Sequence, residues 1–231
     1  MAEPSAFAAR AFEGVAAAGE DDLTNPVRLI FRYVFQERLR ALFRPGSRVL
    51  ELGCGPGTNA LLLASCGVSV LDLDASPAMV RHARRRAALA GAGSRVRFEA
   101  RQPQELRVED GAFDGACSGF GALDGAALPP VGSALAAVLR AGAPVVLSLT
   151  APHPAVARYR ARRKAQRLLG PDFGWSPGFG LGVLLPGPAH GAWAARHPQV
   201  FGALAAMEGL VRRWPVLRDL GGYLVLEGAR R

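Results

Sequence analysis

The chain has 231 residues, a length that suits one domain or one domain with a small cap. Half of the residues are hydrophobic, which is enough for a sizeable core, but no apolar run is long enough to span a bilayer. The formal net charge of +9 permits a polyanionic partner. Because Lys164 is the only lysine while alanine, arginine and glycine dominate, we interpret this charge as a compositional bias.

The first residues, Met1-Ala2-Glu3-Pro4, are not a basic region followed by an apolar core, so we expect no signal peptide. The three cysteines, Cys54, Cys66 and Cys117, lack the spacing of a metal site. An odd cysteine count without a secretion signal indicates reduced thiols. The sequence therefore predicts a cytoplasmic protein with no bound metal and no membrane partner.

Residues 1–44 are predicted to form an N-terminal helical lid over the remainder of the chain. The segment before Arg28 is rich in alanine and is expected to close over a ligand site. Asn25 can cap a helix that has Pro26 at its first position. Apolar residues then recur at helical spacing as far as Leu39, so this helix should pack on a sheet.

A glycine-rich turn follows. Residues 48–59 read Arg-Val-Leu-Glu-Leu-Gly-Cys-Gly-Pro-Gly-Thr-Asn, and an apolar helical run begins at Ala60. A strand, a glycine turn and a helix in this order allow the backbone to approach a ligand closely. The start of the helix offers free N–H groups. Thr58 or Asn59 is predicted to cap this helix. The spacing lacks the third glycine of the Gly-x-Gly-x-x-Gly dinucleotide fingerprint.

A second strand, residues 68–74, is short and apolar and ends in acid. It ends about 20 residues after the glycine turn, where a ribose-binding acid belongs. Two acids are available, and Asp74 rather than Asp72 stands at the tip of the strand. The run Ala75-Ser76-Pro77-Ala78-Met79 then leads into a helix.

These two motifs, Glu-x-Gly-x-Gly-x-Gly and Asp-x-Ser-Pro-x-Met, resemble those of the class I S-adenosylmethionine-dependent methyltransferases. The resemblance implies a doubly wound α/β fold with a mostly parallel, Rossmann-like sheet of seven strands, the last of them antiparallel. It makes residues 45–231 the methyltransferase domain and S-adenosyl-L-methionine the cofactor. The cofactor contacts that it implies here are Glu51, Gly53, Cys54, Gly55, Gly57, Asp74, Ala75 and Met79.

The sequence departs from the family pattern in two places. Gly19 stands where the family carries an aromatic residue that covers the cofactor, and Arg101-Gln102 replaces the usual Gly-Asp. Gln102 can still accept a hydrogen bond from the adenine amino group through its side-chain carbonyl, or it can belong to a solvent-facing loop.

Residues 113–124 resemble motif IV of the family, a strand whose carboxyl end opens onto the reaction site. We therefore expect Ser118 to contact the cofactor and Phe120 the substrate, although Phe120 could equally be core. A fifth strand ends at Thr150, and His153 follows it. A histidine there can act as a catalytic base, and a loop histidine can also be structural or solvated.

The basic helix predicted from Ala155 to Leu169 is interpreted as a solvated face. Residues 170–213 form the predicted substrate cap, in which Trp175 and Phe179 are expected to contact the substrate. The cap contains a predicted helix from Ala192 to Arg213. A last strand, residues 222–227, is expected at the edge of the sheet.

The function expected from these patterns is methyl transfer from S-adenosylmethionine to a small molecule. One alternative is a nucleic-acid methyltransferase, suggested by the arginines, but no Asn/Asp-Pro-Pro-aromatic motif follows the fourth strand. The other alternative is a non-catalytic S-adenosylmethionine-binding protein with a degraded site. The expected partner is a small-molecule substrate, without specific nucleic-acid binding.

Overall fold

The computed structural model describes residues 24–107, 111–124, 126–151 and 155–231, with only the backbone described at residues 155–160. The predicted lid helix before residue 24, including Gly19, and the candidate base His153 lie outside the described residues. The expectations for them stay predictions.

Strands and helices alternate through most of the chain, because glycine and proline punctuate short apolar runs. The helices are α1 (Pro26–Leu42), α2 (Thr58–Ser65), α3 (Pro77–Leu89), α4 (Leu128–Val138), α5 (Ala155–Leu168), α6 (Gly191–Arg196) and α7 (Pro198–Val211). The strands are β1 (Arg48–Leu52), β2 (Ser69–Asp74), β3 (Val96–Ala100), β4 (Gly115–Ser118), β5 (Pro144–Thr150), β6 (Phe173–Trp175), β7 (Phe179–Leu181) and β8 (Tyr223–Arg230).

All eight strands form one sheet in the order β3-β2-β1-β4-β5-β8-β6, with β7 also paired to β8. The first five strands are mutually parallel, and β8 runs antiparallel to β5, β6 and β7. This confirms the predicted doubly wound α/β fold. The order reverses between β1 and β4, so the carboxyl ends of these strands flank a crevice.

The far end of the sheet differs from the prediction in two respects. The sheet has eight strands because its outermost row is divided into β6 and β7, which pair with opposite ends of β8. The last strand is therefore not an edge strand, since β5 pairs along its other side. Part of the segment predicted as a substrate cap, residues 173–181, instead satisfies the backbone hydrogen bonds of β8.

The helices cover both faces of the sheet. One face packs against α1, α2, α3, α6 and α7, and the other against α4 and α5. The predicted single helix at residues 192–213 is two helices, since Pro198 cannot continue a helix and disfavours helical backbone at His197.

Helix α1 begins as predicted. The Asn25 side chain accepts hydrogen bonds from the backbone N–H groups of Val27 (3.0 Å) and Arg28 (3.2 Å). The buried residues Val27, Phe31, Phe35 and Leu39 form its inner face. An ion pair from Arg38 to Glu227 (2.7 Å) ties this helix to β8 and fixes its position above the crevice.

Candidate active site

A cleft of about 250 Å³ lies at the carboxyl ends of β1, β2 and β4, beneath α1. The glycine turn, the end of β2, the loop after β4 and one residue of β8 supply its walls. The lining residues are Arg28, Arg32, Gly53, Cys54, Gly55, Pro56, Thr58, Asn59, Leu73, Asp74, Ala75, Ser76, Met79, Pro103, Gly119, Phe120, Ala122, Asp124 and Tyr223.

The glycine turn has a backbone that only glycine adopts readily. Gly53, Gly55 and Gly57 have φ values of +86°, +45° and +73°. A Cβ atom on Gly53 would lie 2.1 Å from the Cβ of Ala122. Gly57 also precedes α2 without a side-chain cap, so the prediction that Thr58 or Asn59 caps this helix was wrong. At Gly55, by contrast, a Cβ would meet no atom within 4 Å, so the backbone there lies open to the cleft.

Asp74 lies at the tip of β2, in the wall of the cleft. Its carboxylate accepts hydrogen bonds from the backbone N–H groups of Gly55 (3.1 Å) and Ser76 (2.8 Å). Burial raises its pKa, and these N–H donors oppose that change. Asp72, two residues earlier, is completely buried beneath the cleft. Asp74 is thus the acid of β2 that a ligand can reach.

Glu51 lies behind the glycine turn and is 1% exposed. Its Oε1 atom accepts a hydrogen bond from Asn59 Nδ2 (2.9 Å), and Asn59 Oδ1 accepts one from Gln36 (3.2 Å). Burial raises the pKa of Glu51 to about 7, although the Asn59 donor favours its charged form. Glu51 therefore supports the cleft through Asn59 and is not among the residues lining it.

The predicted cofactor contacts divide into two groups. Cys54, Ala75 and Met79 line the cleft together with Gly53, Gly55 and Asp74, whereas Gly57 packs against Phe98 and Ala83 and is not in the lining. Ser118 instead is completely buried and donates to the carbonyl of Leu52 (2.8 Å), which joins the ends of β1 and β4. The Gln102 side chain accepts a hydrogen bond from Gln104, and Gln102 is not among the residues that line the cleft. The geometry thus does not favour direct contacts from Ser118 or Gln102.

Two aromatic side chains that line the cleft, Phe120 and Tyr223, form an aromatic wall. Phe120 lines it as predicted, and its ring centroid is 5.4 Å from that of Tyr223 and 5.4 Å from that of Phe35. The prediction missed Tyr223, which is 103 residues further along the chain and enters the site only because β8 inserts beside β5.

Charged side chains of the cleft were also missed. Arg28 and Arg32 lie one turn apart on α1, a spacing that places both on one face and could have identified them. Asp124 follows β4, and its Oδ1 atom accepts a hydrogen bond from the Thr150 backbone N–H (3.1 Å). The cleft is therefore lined by two arginines and one aspartate in addition to the aromatic residues.

The structure places Trp175 and Phe179 away from the lining just described. Phe179 is 1% exposed and packs in the core beneath α1, with Arg213 4.8 Å above its ring. Trp175 stacks on Phe173 at 5.5 Å on the other face of the sheet. Trp175 belongs to β6 and Phe179 to β7, and each side chain packs on one face of the sheet. This placement does not support the prediction that the two residues contact the substrate.

A second, wider groove of about 1030 Å³ follows the exposed edge of β3. Five arginines line it, namely Arg48, Arg84, Arg95, Arg97 and Arg101. It also reaches Ser69 at the amino end of β2, whereas the glycine turn lies at the carboxyl ends. We take the smaller cleft as the candidate site, because the glycine turn and the tip of β2 open into it.

Comparison with known proteins agrees with this assignment. Residues 49–142 match a family described as a methyltransferase domain. A demethylmenaquinone methyltransferase from Beutenbergia cavernae is 36% identical over 105 residues, which are 43% of this chain and 40% of that protein. Residues 49–142 thus carry the sequence pattern of a methyltransferase domain.

The chain resembles other proteins over different spans. The 23S rRNA (uracil(1939)-C(5))-methyltransferase RlmD from Aromatoleum aromaticum is 30% identical over 141 residues, 61% of this chain and 31% of that protein. The chain thus matches less than half the length of both curated relatives. A structure of geranyl diphosphate methyltransferase in complex with S-adenosylmethionine covers 87% of this chain and 85% of that one, with a TM-score of 0.61 and 20% identity, which shows the shared fold.

Two further findings concern only the described residues. No helix among them is long and apolar enough to cross a membrane. No group of three or more histidine, cysteine, aspartate or glutamate residues among them is arranged to hold a metal ion.

Proposed function

We propose that this methyltransferase transfers a methyl group from S-adenosylmethionine to a small-molecule acceptor. The observation that carries the proposal is the single cleft that combines an open glycine turn, an accessible Asp74 and an aromatic wall.

The cofactor fits the end of the cleft formed by the glycine turn. The absence of a Cβ at Gly55, where no atom lies within 4 Å of that position, leaves backbone open to a ligand, and Asp74 offers carboxylate oxygens to ribose hydroxyl groups. Ala75 and Met79 supply apolar surface beside it. When bound, S-adenosylmethionine supplies an activated methyl group, so the protein's main task is to align the acceptor.

The acceptor belongs at the aromatic end of the same cleft. Phe120 and Tyr223 can pack against an apolar body, while Arg28 can orient a polar or anionic group. The Asp124 carboxylate can accept a proton from an acceptor hydroxyl or amine, and its bond to Thr150 fixes its position. His153 remains a second candidate base from the sequence.

A nucleic-acid acceptor is the alternative, favoured by the RNA methyltransferase relative and by the arginine groove along β3. Several of those arginines already bond within the protein. Arg84 donates to the carbonyl of Phe98, and Arg97 pairs with Glu99 at 2.6 Å. The groove also extends towards the amino ends of the strands, away from the cleft. We therefore favour the small-molecule acceptor.

Titration calorimetry with S-adenosylhomocysteine tests the cofactor site. Asp74→Ala should weaken binding by about 2 kcal/mol or more, the scale of lost charge-assisted hydrogen bonds. The exposed Glu37→Ala variant is the control and should bind like wild type. No binding by wild type would support a degraded site, and an unchanged affinity in Asp74→Ala would show that the ribose-binding acid was assigned wrongly.

Incubation with radiolabelled S-adenosylmethionine tests the acceptor class. Label should appear in a small-molecule metabolite pool and not in purified RNA or DNA, and Asp74→Ala should abolish the incorporation. Label in nucleic acid at enzyme-like rates would instead favour the alternative, whereas cofactor binding with no labelled product in either pool would favour a non-catalytic binder.

A further inference from the structure

Two buried carboxyl groups face each other under the glycine turn. The strand register pairs Glu51 on β1 with Asp72 on β2, so both side chains project from the same face of the sheet. Glu51 is 1% and Asp72 is 0% exposed. Two adjacent negative charges without water would repel strongly, so the pair has a physical reason to keep a proton.

The hydrogen bonds around the pair indicate where that proton resides. Glu51 Oε1 accepts a hydrogen bond from Asn59. Glu51 Oε2 and both carboxyl oxygens of Asp72 have no hydrogen-bond partner among the described residues. If Asp72 were protonated, its O–H could donate to Glu51 Oε2, so that one oxygen of each carboxyl group would gain a hydrogen-bond partner. Buried polar atoms are seldom left without partners, which favours this arrangement.

We propose that Asp72 is a positioning residue that shares one proton with Glu51, and that this shared proton holds the glycine turn and Asn59 in the form that binds the cofactor. The proposal rests on the proposed function only for its cofactor-binding part. The linkage runs from Asp72 through Glu51 and Asn59 to Gln36, and thus connects β2, β1, α2 and α1. Asn59 itself lines the cleft, which brings the linkage to the ligand.

The surroundings of the pair favour the protonated form. Its titratable neighbours are Asp74, Cys54 and Cys117, all acidic or neutral, and β3 contributes the apolar ring of Phe98 at the paired position. Two arginines of α3 bond to backbone carbonyls, since Arg84 donates to Phe98 O and Arg86 to Pro56 O. Burial, followed by the Glu51 charge, raises the pKa of Asp72 well above its ordinary value.

The sign of the pH effect follows from the raised pKa. Between the ordinary pKa of an aspartate and the raised pKa of the pair, the folded protein holds one proton that the unfolded chain has released. Stability due to this proton therefore falls as pH rises, by about tenfold in the folding equilibrium constant per pH unit. Once the proton is lost, two buried charges repel and the linkage to Asn59 is disturbed.

Urea unfolding of wild type and Asp72→Asn over a range of pH tests the shared proton. An asparagine amide keeps a donor towards Glu51 but cannot titrate, so the wild-type to variant ratio of folding constants should fall about tenfold per unit between about pH 5 and 7. The exposed Glu37→Gln variant is the control, and its folding constant should change with pH as that of wild type does. A ratio that does not change with pH would overturn the proposal.

Affinity for S-adenosylhomocysteine tests the positioning part. Wild-type affinity should fall severalfold at alkaline pH, where the pair loses its shared proton, while the affinity of Asp72→Asn, whose amide cannot lose a proton, should stay constant over the same range. Asp72→Leu, which removes the donor, should bind more than about tenfold more weakly at every pH. Equal pH dependence in wild type and Asp72→Asn would overturn this part. If wild type binds no cofactor, the proposed function fails while the unfolding data still decide the shared proton.

If Asp72→Asn does not fold, infrared spectroscopy of wild type labelled with carboxyl-¹³C aspartate decides the question. A carbonyl band of a protonated aspartate at pH 7 that disappears at alkaline pH would support the proposal. Its absence at pH 7 would refute it.

Discussion

At the scale of single residues, backbone conformation and close packing restrict the glycine turn more than side-chain chemistry does. Gly53 has a φ of +86°, and its α-carbon lies against the loop that follows β4. Gly93, in the turn before β3, has no atom within 4 Å of a built Cβ. The two glycines therefore serve different purposes, although the sequence presents both simply as turn residues.

We predict that Gly53→Ala lowers the free energy of unfolding by about 2–4 kcal/mol, because strain at positive φ and the contact with Ala122 both oppose the methyl group. Cofactor affinity should fall with it. The matched variant Gly93→Ala should change stability by less than about 1 kcal/mol. Urea unfolding and calorimetry check both, and equal effects at the two positions would contradict the assigned role of Gly53.

The aromatic residues allow a second comparison at this scale. Phe120→Ala should lower turnover while leaving affinity for S-adenosylhomocysteine within about threefold, because its ring faces the acceptor end of the cleft. Phe179→Ala should instead cost about 3–5 kcal/mol of stability, as expected for a core phenylalanine. Steady-state kinetics beside thermal unfolding would separate the two. A stable Phe179→Ala protein with altered acceptor preference would instead support the prediction from the sequence that Phe179 contacts the substrate.

At the scale of elements, a buried carboxylate anchors the segment that follows β7. Glu208 on α7 is 2% exposed and accepts hydrogen bonds from the backbone N–H groups of Val183 (3.1 Å), Leu184 (2.7 Å) and Leu185 (3.3 Å). The same segment continues to Pro188, whose carbonyl accepts a hydrogen bond from Asn25 at the start of α1. The carboxylate therefore fixes the part of the predicted cap that lies next to the cleft.

We predict that Glu208→Ala lowers the free energy of unfolding by at least about 2 kcal/mol, because three backbone donors lose a charged acceptor. Met207→Ala changes the neighbouring residue of the same helix, which is 52% exposed, and should change stability by less than about 0.5 kcal/mol. Hydrogen exchange should also show faster exchange at residues 183–185 in Glu208→Ala alone. Unchanged exchange there would refute the anchoring role.

At the scale of the whole molecule, positive charge is spread over several elements and is not gathered at the cleft. Arginines lie on α1 and α3, along β3 and near the end of the chain, and many of them form ion pairs or bond to backbone carbonyls. A distribution of this kind gives unspecific attraction to polyanions without presenting one base to the methyl group.

We predict weak, sequence-independent binding to nucleic acid that falls steeply with salt. A plot of the logarithm of the binding constant against the logarithm of the salt concentration should have a slope near −0.9 per phosphate neutralised on duplex DNA. A double variant, Arg95→Glu with Arg97→Glu, should reduce this binding and leave affinity for S-adenosylhomocysteine unchanged, because both residues line the β3 groove. Fluorescence anisotropy over a salt series measures the effect. Sequence-selective binding that resists salt would contradict it.

Much of the fold could be predicted from the sequence. Apolar runs ending in glycine or acid predicted the parallel strands as far as β5, and the Asn25-Pro26 pair predicted the start of α1, because both signals depend on residues close together in the chain. The end of the chain was less predictable. The residues of β6 and β7 are glycine- and aromatic-rich, and only pairing with β8 makes them strands.

The glycine turn, the position of Asp74 at a strand tip and the resemblance carried by these motifs could all be identified from the sequence, because each is a local pattern of residue types and spacing. Which distant side chains share the cleft depends instead on how the strands are arranged in the fold. Tyr223 meets Phe120 because β8 inserts beside β5, and Glu51 faces Asp72 because β1 and β2 pair in that register. Such contacts depend on strand order and register, which are set by packing over the whole sheet.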